Sequence, residues 1–258
     1  MRFTRFVFPA LFPAAILASA CHPPAHVTQV DAQYVQMDAK TDQHDSVTAA
    51  IIAPYRVSME KEMDEVLVKS DSAMTKDGTT ESKLGNFVAD VCLTVTNDSF
   101  GTNGHPAADI CLFNNGGLRS SLPAGNITRG NIFELMPFDN EIVILTLSGQ
   151  KMWQLIRYVC ATGGEPEAGM KLGIRPDKTP GSVLIGGVPF DSTRTYKVLT
   201  SDYLANGGDK MNFFSAPLDM QTTGYRIRDA LINYCVNENK KGHTLSSRLD
   251  GRIYYETK

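Results

Sequence analysis

From residue 51 apolar side chains recur at threes and fours: Ile51, Ile52, Tyr55, Met59, Met63, Val66 and Leu67, with Glu60, Lys61, Glu62, Asp64 and Glu65 between them. That period predicts an amphipathic helix in which Pro54 is tolerated near the start. Leu84, Phe87, Val88, Val91, Cys92 and Val95 repeat the pattern, with Ser82 placed to cap a second helix. The period then changes. Residues 109–113 form a short apolar run ending in Asn114-Asn115-Gly116-Gly117, a buried strand that delivers its end into a glycine turn. Residues 141–147 are nearly continuous β-branched and Leu positions. After Ser148-Gly149, Met152, Leu155, Ile156 and Val159 return to helical spacing: strand, turn, helix.

Residues 163–180 are Gly-rich and read as a separator. Gly186-Gly187 within residues 182–190 predicts a hairpin or bulge. Residues 196–201 form a further strand, followed by the polar turn Asn206-Gly207-Gly208-Asp209. Ile227, Leu231, Tyr234 and Cys235 mark a last long helix, and residues 252–255 a closing strand. Helices and strands interleave without strict βαβ alternation, so the expected fold class is α+β, a mixed β-sheet flanked by helices. There is no internal repeat.

Composition changes this picture little. A chain of 258 residues, 42% hydrophobic and 21% charged, has one ordinary globular domain with a modest extension. A net charge of −3 leaves no general positive field for the backbone of a nucleic-acid polymer, so no polymeric nucleic acid is expected as a partner.

The amino terminus reads as an address. Residues 1–20 open with Arg2 and Arg5, continue with an apolar run and end in small residues, the layout of a signal peptide. Removing them takes two positive charges from the chain. Leu17-Ala18-Ser19-Ala20-Cys21 resembles the lipobox of bacterial lipoproteins, which implies a lipid on Cys21 and a polar tether over residues 21–45 ahead of the domain at 46–258. Ala18-Ser19-Ala20 also satisfies ordinary signal peptidase, which would leave Cys21 a free or trimmed thiol. The expected location is the bacterial cell envelope, exported and lipid-anchored. Cys92, Cys111, Cys160 and Cys235 sit inside apolar segments without metal-site spacing. They read as small buried hydrophobes, with up to two disulfides as the alternative.

Two loops carry candidate chemistry. In Asn114-Asn115-Gly116-Gly117-Leu118-Arg119, the glycines let backbone N–H groups approach an oxyanion and the Arg119 fork matches phosphate or carboxylate. In Asn206-Gly207-Gly208-Asp209, the terminal carboxylate can accept hydrogen bonds from two adjacent ribose hydroxyls. Phe138 and Tyr203 lie beside these loops and could sandwich a flat base. The histidines, His22, His26, His44, His105 and His243, are scattered and form no string suited to a two-metal hydrolytic site. No P-loop, dinucleotide fingerprint or nucleophile elbow is present.

Several blocks, in order, resemble the carboxy-terminal domain of 5′-nucleotidases. They are Glu81-Ser82-Lys83-Leu84-Gly85-Asn86-Phe87-Val88-Ala89-Asp90, Phe113 to Arg119, Pro137-Phe138-Asp139-Asn140 with Leu147-Ser148-Gly149, and Asp202-Tyr203-Leu204-Ala205-Asn206-Gly207-Gly208-Asp209. The resemblance implies a substrate-recognition domain with no catalytic residues and no cofactor of its own. Asn114, Gly116, Gly117 and Arg119 would meet the phosphate or ribose side, Phe138 and Tyr203 would stack on the base, and Asn206, Gly207, Gly208 and Asp209 would form the ribose loop. Two divalent metals would reside on a separately encoded metallophosphoesterase, the two chains together forming a split 5′-nucleotidase acting on a nucleoside monophosphate or related nucleotide. The alternative is a non-catalytic binding or scaffold lipoprotein that keeps the fold without the nucleotide substrate. Where the family commonly carries an arginine before the first block, this chain has Gly78-Thr79-Thr80 with Lys76 nearby. That departure implies weaker phosphate binding, or a partner that completes the site.

Overall fold

The computed structural model describes residues 27–34, 45–101 and 107–257. The signal segment, most of the tether with Cys21, and His22, His26, His44 and His105 lie outside the described residues. Residues 50–258 cluster into one compact unit.

Helix α1 (Ser46–Met63) starts at Asp45, whose carboxylate accepts from the Val47 and Thr48 N–H groups. It differs from expectation in two ways. Val66 and Leu67, which the period placed on the helix, open strand β1 (Val66–Ser70), where Leu67 and Val68 are buried between two neighbouring strands. Secondly, α1 buries no side chain: Ile51, Ile52, Tyr55 and Met59 are all exposed. Helix α2 (Lys83–Gly101) begins as read, with Ser82 Oγ accepting from the Gly85 N–H at 3.0 Å. Its face of Leu84, Phe87, Val88, Val91 and Cys92 is buried.

The central sheet has five strands in the order β10 (Asp219–Arg226), β4 (Glu141–Ser148), β9 (Thr195–Ser201), β2 (Ile110–Leu112), β5 (Glu167–Ala168). Strands β2 and β9 are parallel and every other pair is antiparallel, so the sheet is mixed as expected. A three-stranded sheet joins β11 (Thr244–Leu245), β1 and β3 (Gly125–Thr128), and a four-stranded one β12 (Ile253–Tyr255), β6 (Met170–Ile174), β7 (Pro180–Ile185) and β8 (Val188–Pro189). Residues 163–180 are thus no separator, since they hold β5 and β6. Gly169, at φ +87°, lies so close to the Asp109 carbonyl that a Cβ there would stand 2.3 Å from it. The glycines that weaken the strand pattern in sequence are what allow this close approach. Strand β10 also escaped the reading. It lies at the sheet edge, is mostly exposed, and carries few apolar residues to mark it. The hairpin between β7 and β8 is as read: Gly186 and Gly187 have φ +57° and +81°, the primed-turn conformation.

Helix α3 (Arg129–Leu135) is fixed by a capping box between Thr128 and Asn131. Helix α4 (Gly149–Thr162), capped by Ser148 and closed by left-handed Gly163, packs Met152, Leu155, Ile156 and Val159 into the core against β4, β7 and β9. At about 2 kcal/mol for each buried aliphatic side chain, this one face supplies a stability comparable with the net margin of a domain, before entropy is subtracted. Helix α5 (Asp202–Ala205) follows β9, and α6 (Ile227–Lys240) packs on α2 and β1. Cys92, Cys111, Cys160 and Cys235 are all buried and free, the reading as small hydrophobes rather than disulfides.

Candidate functional site

Strand direction gathers the two loops. Because β2 runs parallel to β9, both deliver their carboxyl ends to the same sheet edge. Because β4 and β5 run antiparallel to these strands, their amino ends arrive there too: Ile142 pairs with Ser201 and Leu112 with Glu167. The edge therefore collects residues 113–119, 136–140, 163–166 and 202–210. The Asp202 carboxylate fastens two of these, accepting from the Glu141 N–H at 3.1 Å and the Tyr203 N–H at 2.8 Å.

At its centre is Asp209. One carboxylate oxygen accepts a hydrogen bond from Asn114 Nδ2 and the other from the Tyr203 hydroxyl at 3.0 Å. The Tyr158 hydroxyl donates to the Asp209 carbonyl at 3.3 Å. A carboxylate has about four lone-pair sites, so two stay free for a ligand's hydroxyls. Asp209 has φ +50° and follows Gly207 at φ +89°, a left-handed turn that Gly and Asp tolerate better than other residues. The other glycines make room. A Cβ on Gly117 would stand 2.8 Å from Asn114 Oδ1, one on Gly116 would stand 3.3 Å from Asn114 Nδ2, and one on Gly208 would enter the Tyr203 ring at 2.4 Å. Gly116 and Gly117 thus leave room for Asn114, and Gly208 for Tyr203.

Arg119 and Phe138 form a second group. Arg119 Nη1 donates to the Gly116 carbonyl at 3.2 Å, and its guanidinium carbon lies 5.9 Å from the centre of the Phe138 ring. Phe138 is 44% exposed and Tyr203 48%, unusual for large aromatics at the end of a buried sheet. Asn206 plays a different part from the one its motif suggested: its Nδ2 donates to the Asp202 carbonyl at 2.8 Å, closing α5.

Two residues of this edge were not singled out in the sequence. Arg228, buried at the start of α6, donates to the carbonyls of Met136 and Pro137 at 3.3 Å each, pairs with Asp139 and lies 4.3 Å from the Phe133 ring centre. It holds the segment that carries Phe138, and nothing in a helical period marks such a contact 90 residues away. Glu165 is the other. Its Oε2 accepts from the Asn115 N–H at 2.8 Å and from Asn115 Nδ2 at 3.0 Å. Burial raises its pKa above the ordinary carboxylate value and the Asp209 charge adds to the rise, against the pull of the Asn115 hydrogen bonds. Tyr158 is likewise raised, by burial first and then by the charges of Glu165 and Asp209. The Gly163-Gly164 pair just before Glu165 was its only trace in sequence. Beside Glu165 opens a cavity of about 280 Å³ whose far wall is Lys76 and residues 78–82.

A sequence profile of the 5′-nucleotidase C-terminal domain matches residues 59–216. The chain is 26% identical over 190 residues to the trifunctional nucleotide phosphoesterase protein YfkN of Bacillus subtilis, covering 68% of this chain and 12% of that protein. It is 28% identical over 106 residues to protein UshA of Escherichia coli, covering 40% of this chain and 19% of that one. Among solved structures, the 5′-nucleotidase precursor of Thermus thermophilus superposes with a TM-score of 0.67 at 23% identity, over 83% of this chain and 44% of that chain. The NAD nucleotidase of Haemophilus influenzae superposes with a TM-score of 0.59 at 20% identity, over 84% and 42%. The chain spans less than half the length of these relatives. With the profile covering more than half of its residues and the α+β fold shared, the chain belongs to the 5′-nucleotidase C-terminal domain family.

Proposed function

We propose that this chain is the nucleoside-recognition part of a split 5′-nucleotidase. The observation that carries the reading is the Asn114–Asp209–Tyr203 group, which shares its sheet edge with Phe138 and Arg119. Asp209 offers its free lone pairs to the two ribose hydroxyls, Phe138 and Tyr203 present exposed rings to a base, and Arg119 supplies a cation at the same edge. Holding a nucleotide by its base and ribose fixes the phosphorus relative to an attacking group, which lowers the barrier by orientation. The metals and hydroxide belong to a separately encoded metallophosphoesterase, where two divalent ions would stabilise the attacking and leaving oxygens. The lipobox-like residues 17–21 support an exported, lipid-anchored location in the cell envelope.

Calorimetric titration of the purified chain with adenosine and AMP tests recognition, and addition of a metallophosphoesterase from the same source tests the split. Binding by the wild type, its loss in Asp209→Ala, and hydrolysis of AMP only in the mixture are the expected results. Binding without hydrolysis in any mixture would exclude the split; the second reading is a non-catalytic binding or scaffold lipoprotein that keeps the fold without the nucleotide substrate. Residues 78–80, with no arginine among them, favour that reading. No binding of either ligand would end the first reading and leave the second.

A further inference from the structure

The cavity beside Glu165 is lined by polar groups of unequal charge. Among the described residues its walls carry one cation, Lys76, and two carboxylates, Glu81 and Glu165. Glu81 is already engaged, accepting from Asn86 Nδ2 and the Gly251 N–H at 2.7 Å each. The rest of the lining includes Thr79, Thr80, Ser82 and Asn115, which are neutral. Glu165 ties this cavity to the nucleoside loops through its two hydrogen bonds with Asn115, the residue next to Asn114 and its Asp209 partner. The cavity thus sets two carboxylates beside the loop that carries the Asn114–Asp209 pair. No arginine is among the described lining residues: Arg119 is turned to the Gly116 carbonyl and the Phe138 ring, and Arg252, 3.9 Å from the Glu81 carboxylate, gives its hydrogen bonds to Asp90, Asp250 and the Glu167 carbonyl.

We propose that Glu165 is a specificity-determining residue that makes this chain, on its own, a receptor for the uncharged nucleoside rather than for the nucleoside monophosphate. The inference rests on the reading above that these loops take a nucleoside, and it adds which half of the nucleotide they take. A phosphate entering the cavity carries negative charge toward the Glu165 carboxylate, and like charges set side by side oppose binding. The neutral walls offer hydroxyl and amide partners to a sugar's 5′ end without that cost. In the split enzyme the phosphate would then be held by the partner's metals, and this chain would contribute binding to the base and ribose alone.

The experiment is calorimetric titration of the full chain with adenosine and with AMP, in the wild type, in Glu165→Gln and in Thr79→Lys. Glutamine keeps an oxygen to accept from Asn115 and removes the charge. Thr79 is an exposed wall residue, so its lysine variant adds a cation to the same cavity with little risk to folding. Adenosine should bind the wild type more tightly than AMP does. AMP affinity should rise about three- to tenfold in each variant, the size expected for one screened charge at a partly exposed site, while adenosine affinity stays within about twofold. The gap between the two ligands in the wild type should narrow as salt is raised. Equal changes for both ligands, no change for AMP in either variant, or AMP binding more tightly than adenosine to the wild type would overturn the assignment while leaving the nucleoside site standing. Failure of adenosine itself to bind the wild type would remove the site and this assignment together.

Discussion

Glu167 in β5 is a buried carboxyl two residues beyond Glu165, paired across the sheet with Leu112 at the base of the Asn114 loop. Its Oε2 accepts from the Met170 N–H at 3.2 Å, and its Oε1 has no hydrogen-bond partner among the described residues. The Arg252 guanidinium attracts it, but that side chain's donors go to Asp90, Asp250 and the Glu167 carbonyl. Burial dominates and pushes the carboxyl from 4.5 up to about 8. The sign follows from proton counts. Between these two values the folded chain keeps a proton that the unfolded chain has released, so raising the pH removes stability and the loss levels off above about pH 8. At about 1.4 kcal/mol per pH unit, the loss is on the order of 3 kcal/mol by pH 7. Glu167→Gln removes this titration. Urea unfolding measured at several pH values between the two limits should show the variant gaining on the wild type as pH rises, by on the order of 3 kcal/mol from about pH 5.5 to about pH 8. Subtracting one protein from the other cancels every group they share. A difference that does not change with pH would refute the assignment of a neutral, buried Glu167.

Three substitutions probe the site and its frame. Asp209→Ala removes the acceptor for Asn114 and Tyr203 and the proposed ribose contact, so adenosine affinity should fall roughly ten- to hundredfold, the size of one or two charge-assisted hydrogen bonds; an unchanged calorimetric constant would exclude Asp209 from the site. Gly208→Ala drives a methyl into the Tyr203 ring, which is half-exposed and can swing out by giving up its hydrogen bond to Asp209. Melting temperature should therefore move little while adenosine binding weakens by about the worth of one stacked base, roughly 1–3 kcal/mol; a large drop in melting temperature with affinity preserved would contradict it. Arg228→Met takes the donor from two carbonyls beneath Phe138 and from the solvent-exposed Asp139 carboxylate, and thermal unfolding should show a cost of about 1–3 kcal/mol. Arg228→Lys, which keeps the charge but loses the fork, should recover part of the stability and less of the adenosine affinity.

Local chemistry made much of the fold legible. Helix α2, strand β4 and helix α4 declare themselves because each buries one face, so the period of their apolar residues is the period of the element. The reading failed where that link is broken. Val66 and Leu67 continue a helical spacing by chance, yet β-pairing with β3 buries the segment more effectively. Strand β10, last in the sheet order and mostly exposed, needs few apolar residues, and β5 and β6 lie among glycines required for close backbone approach.

For the site, the sequence by itself determined which residue types were available: two glycine turns at strand ends, an asparagine, an arginine, an aspartate and two aromatic rings. These are local properties, since a glycine's freedom and a carboxylate's hydrogen-bonding capacity do not depend on distant neighbours. Only the tertiary structure decided that Asn114 and Asp209 are partners, because a bond between residues 95 positions apart depends on β2 running parallel to β9. The same sheet order placed Glu165 against Asn115 and Arg228 under Phe138. The charge of the site follows from those placements: an isolated glutamate is a solvated anion, but one half-buried beside Asp209 opposes any further negative group that enters.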